Sequence, residues 1–412
     1  MATTTAFAGK QPALQEDAVL RNTVRNSIEH LVLWLRRNDY QGYDTFDGLD
    51  ARYVRPLTFE TTLLRTVLQQ GVRRFPLNLR PLLGVRKSHS SKAMGFFARG
   101  YIRLHACTND PQWAKEAEQC LQWLIGNQSR GYHGACWGNH FDYQSRGFYL
   151  PKDTPTVVWT SLIGHAFLDA YIHFRNEQYL AVAVSACESI LHDLTRVPDR
   201  GGVCINYIPG MRCLVHNANT LGASLLARTA CCDGSRSEYL DVAREALRYT
   251  AHYQRPNGSW WYGERSDMHW VDNFHTAYVL DCFKIYQDAS GDDSFAVNLA
   301  RGYSYWTQTF FLPDGTPKYY DRKALPLDIQ CASQAIDTLV HFRDTDPMSM
   351  PLAVQVALWT IRNMQNPDGH FYYRRYNSWL VNKTATLHWG QATMLCALAG
   401  LYQQMTSGAK TA

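Results

Sequence analysis

Four short clusters of chemically capable side chains recur along the chain, each just ahead of an apolar run: His216, Asn217 and Asn219; His269, Trp270, Asp272, Asn273 and His275; Asp328 and Gln330; His388, Trp389 and Gln391. The second is the densest and follows Trp261, Tyr262 and Glu264. Glu264 and Asp272 are suited to glycoside chemistry, one carboxyl protonating a leaving oxygen while the other activates water or steadies positive charge. The same stretch offers a second chemistry. Asn273 can neutralise a uronate carboxylate while His275 removes the C5 proton and Tyr262 or Tyr320 protonates the opposite side, which describes a lyase or an epimerase. Glu264, Asp272, His275 and Asp328 are therefore the candidates for the reaction. His216, Asn217, Asn219, Tyr262, His269, Trp270, Asn273, Tyr320, Arg374 and Trp389 are the candidates for holding substrate, Arg374 because a guanidinium grips a carboxylate with two hydrogen bonds. Helix capping would use Asn217, Asp272 and Asp328 equally well. His269 and His275, six apart, do not have a metal-ligand spacing on one helix face, so neither a metal nor another cofactor is expected.

Recurrence of the clusters implies recurrence of the elements that carry them. Gly-centred turns followed by aromatics lie at 128–137, 200–207, 254–261, 312–320 and 365–373. Three read almost alike: Gln254-Arg-Pro-Asn-Gly258-Ser-Trp-Trp261, Gln365-Asn-Pro-Asp-Gly369-His-Phe-Tyr372, and Gln128-Ser-Arg-Gly131 running on to Trp137. The period of about 55 residues holds two helices per unit, and such units bury their apolar faces only against one another. Val24, Ile28, Leu31 and Leu35 mark a first amphipathic helix, and ten later stretches between 114 and 403 carry apolar residues three and four apart. Strand character is confined to short aromatic runs beside turns, such as 260–262 and 371–373. These patterns predict an all-α toroid, a barrel of about six helical hairpins with short β extensions at one rim. Its expected bounds are 18–405, with tails at 1–17 and 406–412. In such a barrel, loops and first turns of inner helices meet at one mouth, which is where the four clusters fall. Trp137, Trp260 and Phe371 are expected to plug gaps between hairpins; Tyr262, Tyr320, Tyr373 and Trp389 are better placed to line the cavity.

The run of helix, Gln, Gly and aromatic resembles the Gln-Trp repeat of the squalene-cyclase and protein-prenyltransferase toroids. Val215-His-Asn-Ala-Asn219, Trp270-Val-Asp-Asn-Phe-His275, Pro326-Leu-Asp-Ile329 and His388-Trp-Gly-Gln391 resemble a bacterial family associated with surface-polysaccharide gene clusters, over roughly residues 40 to 405. Six-hairpin barrels of this kind also occur in glycoside hydrolases, polysaccharide lyases and uronate epimerases. The resemblance implies a carbohydrate-active enzyme working on an acidic, uronate-containing surface polysaccharide or its lipid-linked precursor, by hydrolysis, elimination or C5-epimerisation. Two alternatives use the same ring: an isoprenoid cyclase or prenyltransferase, and a non-catalytic glycan-binding scaffold. Against the first, the chain lacks both Asp-x-Asp-Asp and Asp-Asp-x-x-Asp, and Asp281-Cys282 lacks the spacing of the prenyltransferase zinc site.

Charge narrows the partners. From 61 to 109 there are nine Lys or Arg residues and no Asp or Glu, so an anion is expected there. The stretch 72–87 interleaves cations with apolar residues, a pattern suited to peripheral contact with acidic headgroups or a lipid-linked diphosphate. A net charge of +5 without a recognised motif argues against nucleic acid. Asp44, Asp47 and Asp50 fall within seven residues but match no calcium loop, so turns or caps are expected of them. Eleven Cys without Cys-x-x-Cys spacing are read as reduced thiols, and the start of the chain lacks a signal-peptide apolar run. A cytoplasmic protein is expected, at most peripheral to the inner face of the membrane.

Overall fold

A helix that is apolar on every side has to be surrounded by protein. Twelve consecutive residues, Val157 to Leu168, are buried in the helix Val157–Phe174. The helix Glu238–His252 instead buries a single stripe, Tyr239, Ala243, Ala246, Leu247, Tyr249 and Thr250. These two kinds alternate along the chain and become inner and outer helices. The computed structural model describes residues 10–145 and 148–407. Among them are thirteen α-helices, numbered α1 to α13 in chain order. The outer ones are α1 (Lys10–Arg37), α4 (Pro111–Gly126), α6 (Glu177–Asp193), α8 (Glu238–His252), α10 (Ala296–Phe310) and α12 (Ser349–Met364). The inner ones are α3 (Ser91–Thr108), α5 (Val157–Phe174), α7 (His216–Cys232), α9 (Asn273–Ser290), α11 (Ile329–His341) and α13 (Ala392–Ser407), and α2 (Thr62–Arg74) stands outside this alternation.

Each inner helix packs on the next, and α13 packs on α3, so the inner ring closes. The chain is an α/α toroid of six hairpins. Among the described residues β structure is limited to isolated bridges and short two- and three-stranded sheets, one of which sets Leu327–Asp328, Arg374–Arg375 and Val381–Asn382 side by side.

The repeated turns have a mechanical role. Gln254 Nε2 donates to Gly258 O (3.0 Å) and to Asn298 O on the next outer helix (2.9 Å). Gln365 does the same with Gly369 O and with Ser27 O of α1, which ties the last hairpin to the first. Gly369 has φ +109°, and a Cβ there would lie 2.1 Å from His30 O, so no other residue fits. Trp137, Trp260 and Phe371 are buried, with the indoles of Trp137 and Trp260 donating to carbonyls at the end of the preceding helix.

Two helices depart from the sequence expectation. The basic stretch 61–109 was read for its charge, yet it folds into α2 and the inner helix α3. Much of the anion it meets is the chain's own: Arg80 pairs with Asp47 (2.6 Å), Arg99 with Asp169 (2.8 Å), Arg103 with Asp337 (2.5 Å), and Arg65 with Glu60. The stretch 72–87 does not lie flat on a surface as a unit, because Val72, Arg80 and Val85 are buried within it. At the ends, α1 begins at Lys10 and α13 runs to Ser407; residues 1–9 and 408–412 of the expected tails lie outside the described residues. No helix among them is long and apolar enough to cross a membrane.

Candidate active site

The barrel has a cavity at each end. At the C-terminal ends of the inner helices, about 790 Å³ is lined by Arg99, Arg103, Asp169, Arg228, Asp281, Asp337 and His341 among others. Most of the charges that line it pair with one another. Asp169 takes Arg99 and Arg228, Asp337 takes Arg103, and Asp281 takes His341 Nδ1 (2.9 Å). At the other end, where the inner helices begin, about 580 Å³ is lined by Phe46, Gln70, Arg73, Tyr143, Trp159, Tyr207, Tyr262, Trp270, Asp272, His275, Tyr319, Tyr320, His388 and Trp389 with others. Here polar groups are left over.

Two histidines in this mouth are mounted alike. Asp272 caps α9 by accepting from His275 N (3.0 Å) through Oδ1. Its Oδ2 accepts from Trp270 Nε1 (3.0 Å) and meets His275 Nδ1 (2.7 Å). Asp44, brought from the segment after α1, does the corresponding work at the start of the last inner helix. Its Oδ1 accepts from His388 N (3.1 Å) and lies 2.5 Å from His388 Nδ1, off the straight N–H line. Each carboxylate thus holds the Nδ1 side of one ring. His388 is almost fully buried and its Nε2 has no partner. His275 is partly open to the mouth, and none of its contacts engages Nε2.

Burial sets the protonation states. It pulls His388 below the ordinary histidine range, outweighing the nearby Asp44 carboxylate, with the Lys92 ammonium adding in the same direction. His388 is therefore a neutral imidazole near neutrality, and a hydrogen on Nδ1 facing Asp44 leaves the Nε2 lone pair free. Asp44 itself stays ionised. Burial would raise it, but the charge and hydrogen bonds of His388, with the charge of His140, hold it below the usual carboxylate range. His140 Nε2 sits 3.2 Å from Asp44 Oδ2, and burial pushes its pKa down to about 4. Lys92, buried with its ammonium 4.8 Å from the Trp159 ring, is pushed down to about 8 by the same cause. Burial lifts the hydroxyls of Tyr262 and Tyr319 well above the tyrosine range, so both remain protonated donors.

The aromatic lining is continuous. Tyr262 stacks on Trp270 with centroids 4.5 Å apart and leans on His275, Phe274 meets Trp389 edge-on at 5.1 Å, and Phe46 meets Trp389 from the other side. Arg73 lies 4.4 Å over the Phe46 ring and donates to the Tyr373 hydroxyl, with no carboxylate partner.

The candidates from sequence divide accordingly. Asp272, His275, Tyr262, Trp270, Tyr320 and Trp389 line the mouth, and His216 and Asn217 reach a narrow recess beside Tyr262, Trp270 and His275. The others are placed elsewhere. Glu264 meets His216 Nε2 at 2.7 Å and does not line the mouth. Asp328 is gripped by Arg374 (2.6 and 2.8 Å) and by Trp389 Nε1 (2.8 Å) while capping α11, so both its oxygens are engaged, Arg374 spends Nε and Nη2 on it, and neither residue lines the mouth. Asn219 clamps Ile205 N, Ala246 O and Thr250, and Asn273 joins Lys318 O to Trp306 Nε1. His269 is exposed and stacks on Trp261. Asp272 is the sole carboxylate among the described residues lining the mouth. Among the described residues no three His, Cys, Asp or Glu are placed to hold a metal ion.

Asp44 and Arg73 were not among the sequence candidates. Asp44 was visible as one of three neighbouring acids, but nothing local says that it faces a histidine 344 residues away. Arg73 was one cation in a run of nine, distinguished only in the fold, where it lies over Phe46 in the mouth and reaches the Tyr373 hydroxyl.

No protein-family model and no curated protein sequence matches the chain. Solved structures do. It resembles cellobiose 2-epimerase from Bacillus thermoamylovorans at 9% identity and TM-score 0.62, with 77% of this chain and 88% of that one covered. A GH76 alpha-mannanase from Bacteroides thetaiotaomicron matches at 13% identity and TM-score 0.57, covering 78% and 86%. A polysaccharide lyase matches at 11% identity and TM-score 0.55, covering 76% and 90%. The shared property is the α/α toroid. At these identities the likeness is one of fold.

Proposed function

We propose that the chain is a saccharide epimerase or isomerase that moves a proton at the carbon next to a sugar carbonyl, with His388 and His275 as the two proton carriers. The observation that carries this reading is the pair of carboxylate-mounted imidazoles, each with Nε2 unengaged, facing one aromatic-lined mouth. His388 Nε2, kept neutral by burial, takes the proton from C2 of an open-chain aldose. The C–H electrons form the C1–C2 double bond as the carbonyl becomes an enediolate. His275 Nε2–H then returns a proton to the other face of C2, giving the epimer, and the resulting charge difference is erased when the two imidazoles re-equilibrate through water. Delivery to C1 instead, with a hydroxyl proton shifting to O1, gives the ketose. Arg73 and the N-terminal ends of the inner helices favour the negative enediolate, and the stacked rings offer faces to the sugar.

Hydrolysis fits the mouth less well, because retaining and inverting glycosidases both need two carboxyls flanking the bond, roughly 5–10 Å apart. Asp272 stands alone there, with both oxygens engaged. A uronate substrate with proton transfer at C5 is the second reading, favoured by Arg73, which lies in the mouth and has no carboxylate partner among the described residues. That cellobiose 2-epimerase shares the fold is consistent with the first.

Incubation with free aldoses and with defined uronate oligosaccharides in deuterated water tests both. The expected result is deuterium at C2 of an epimerised aldose, at C1 of a ketose formed by isomerisation, or at C5 of a uronate. New reducing ends without exchange would refute the proposal, and absorbance from an unsaturated uronate would replace epimerisation by elimination.

A further inference from the structure

Apolar side chains left in water concentrate in one part of this molecule. Tyr53, Leu57, Phe59, Leu63, Leu64, Val67, Phe75, Leu77 and Leu82 are all exposed, Tyr53, Phe59, Leu63 and Leu82 by more than 70%. They surround α2. The 3₁₀ turn Arg55–Thr58 packs on that helix, Tyr53 N donates to Leu83 O, and the hairpin bearing Trp379, itself 78% exposed, is tied to the end of α2 through Tyr376 to Arg74 O and Asn382 to Phe75 O. Scattered exposed apolar residues need no explanation, but a concentration of this size marks a contact surface.

The helix shows why it is left bare. Gln69 and Val72 face inward, whereas Leu63, Leu64, Val67 and Arg74 follow one another along the outer face at helical spacing. Val67 and Arg74 also line the mouth. The bare surface is thus the lip of the catalytic cavity.

Its charge identifies the partner. Among the described residues Arg52, Arg74 and Arg86 are exposed and form no ion pair, and Lys87 meets Asn38. The one acid on α2's approach, Glu60, is already taken by Arg55 and Arg65. A second copy docked through a two-fold axis would set these cations against themselves. An apolar ridge flanked by unpaired cations is what an anionic bilayer surface receives, hydrocarbon entering between headgroups and cations staying among the phosphates.

We infer that α2 and the segments around it dock on an anionic membrane surface, so that the mouth opens along the headgroup layer. The docking stands on the surface alone. That the cargo at that surface is a saccharide rests on the reading of the mouth given above, and a cargo linked to lipid through C1 would fit only its C5 form, since proton transfer at C2 needs a free aldehyde.

Flotation with equimolar phosphatidylglycerol–phosphatidylcholine vesicles tests it, beside pure phosphatidylcholine and beside the double variant Leu63→Glu, Leu82→Glu. Both positions are exposed and outside the mouth lining, so the variant should keep its melting temperature and its deuterium exchange on soluble sugars. Binding to the anionic vesicles is expected, weakened by at least about tenfold by removing the anionic lipid, by the double substitution, or by raised salt. Three results would overturn the inference: no vesicle binding, undiminished binding by the variant, or a dimer in solution that the variant dissociates, which would make the ridge a self-association face. Because vesicle binding is read without turnover, a failure here is separable from a failure of the proton-transfer reading.

Discussion

Asp272→Asn separates chemistry from scaffold more sharply than any other single change. An amide has one acceptor oxygen where the carboxylate has two. If that oxygen takes the place of Oδ1, the cap on His275 N survives, since Asn is as good a capping residue as Asp. The NH₂ group then occupies the place of Oδ2, facing His275 Nδ1 and Trp270 Nε1. His275 can meet it only as an acceptor, which moves the ring hydrogen to Nε2 in the neutral form and removes the charge that stabilises the imidazolium. Misplacing the tautomer of a catalytic histidine costs about 10³–10⁴ in turnover, or roughly 4–5 kcal/mol of barrier. The structural cost is smaller. One charge-assisted hydrogen bond, from Trp270, is lost at about 2–3 kcal/mol, and in a chain this long that lowers Tm by only a few degrees. Steady-state epimerisation and calorimetry on the same preparation give both numbers. The reasoning fails if turnover stays within about tenfold of the parent, or if the loss of turnover arrives with a collapse of the folded state.

The two histidines should be distinguishable from each other. With His388 as the base, His275→Asn loses product yet still introduces deuterium into recovered substrate, whereas His388→Asn loses both; mass spectrometry of the sugar pool decides. Because His388 is held below the ordinary range by burial, the acid limb of the kcat profile should fall below about pH 6.5. Glu264→Gln keeps the contact to His216 through its amide oxygen and should leave kcat within about threefold and stability within about 1 kcal/mol; a loss of hundredfold would put Glu264 back in the chemistry. His140 binds a proton near pH 6.5 when unfolded but only at about 4 when folded, so the unfolded chain takes up protons first as pH falls. The stability this group contributes is complete above pH 6.5 and is lost by about pH 4, up to about 3 kcal/mol, measurable by urea unfolding across that window. His140→Gln should flatten the dependence.

The toroid was legible because its signals are local: a Gln, a Gly at positive φ and an aromatic plug repeat wherever an outer helix must be latched to its neighbour. The inner helices were also expected where their apolar spacing was unbroken. α3 escaped because Lys92, Arg99 and Arg103 stand at intervals along it, and a buried Arg paired with Asp169 or Asp337 on another hairpin looks from sequence like a solvent-facing cation. The same blindness affected the site. Asp272 and His275 are three residues apart and share one helix start, so their partnership was readable. Asp328 was readable as a polar cap but not as a carboxylate consumed by Arg374, since that pairing is made by strand register between segments 46 residues apart. Asp44 illustrates the limit. Its role depends on a contact between the two ends of a ring.

That contact couples folding to catalysis. The Asp272–His275 pair exists as soon as α9 forms, since both members lie in its first turn. The Asp44–His388 pair exists only when the segment after α1 meets the start of α13, and the same closure sets α1 against the last turn through Ser27, Gln365 and Gly369. It also places Arg80 against Asp47, three residues from Asp44, an ion pair almost wholly buried. Burial there raises Asp47 to about 6 in spite of Arg80, so the cost of removing the carboxylate from water exceeds what the guanidinium returns. Breaking it by Arg80→Ala should cost about 3–5 kcal/mol. Its effect on the two histidines should differ: the segment carrying Asp44 loses the guanidinium that binds Asp44 O and Thr45 O, while Asp272 is untouched. If the barrel remains closed in that variant, deuterium exchange initiated by His388 should fall while the ring resonances of His275 stay at their parent positions by NMR. Equal loss at both histidines would mean that the two halves of the mouth are one cooperative unit, and the ring could then not be described as assembling its second proton carrier last.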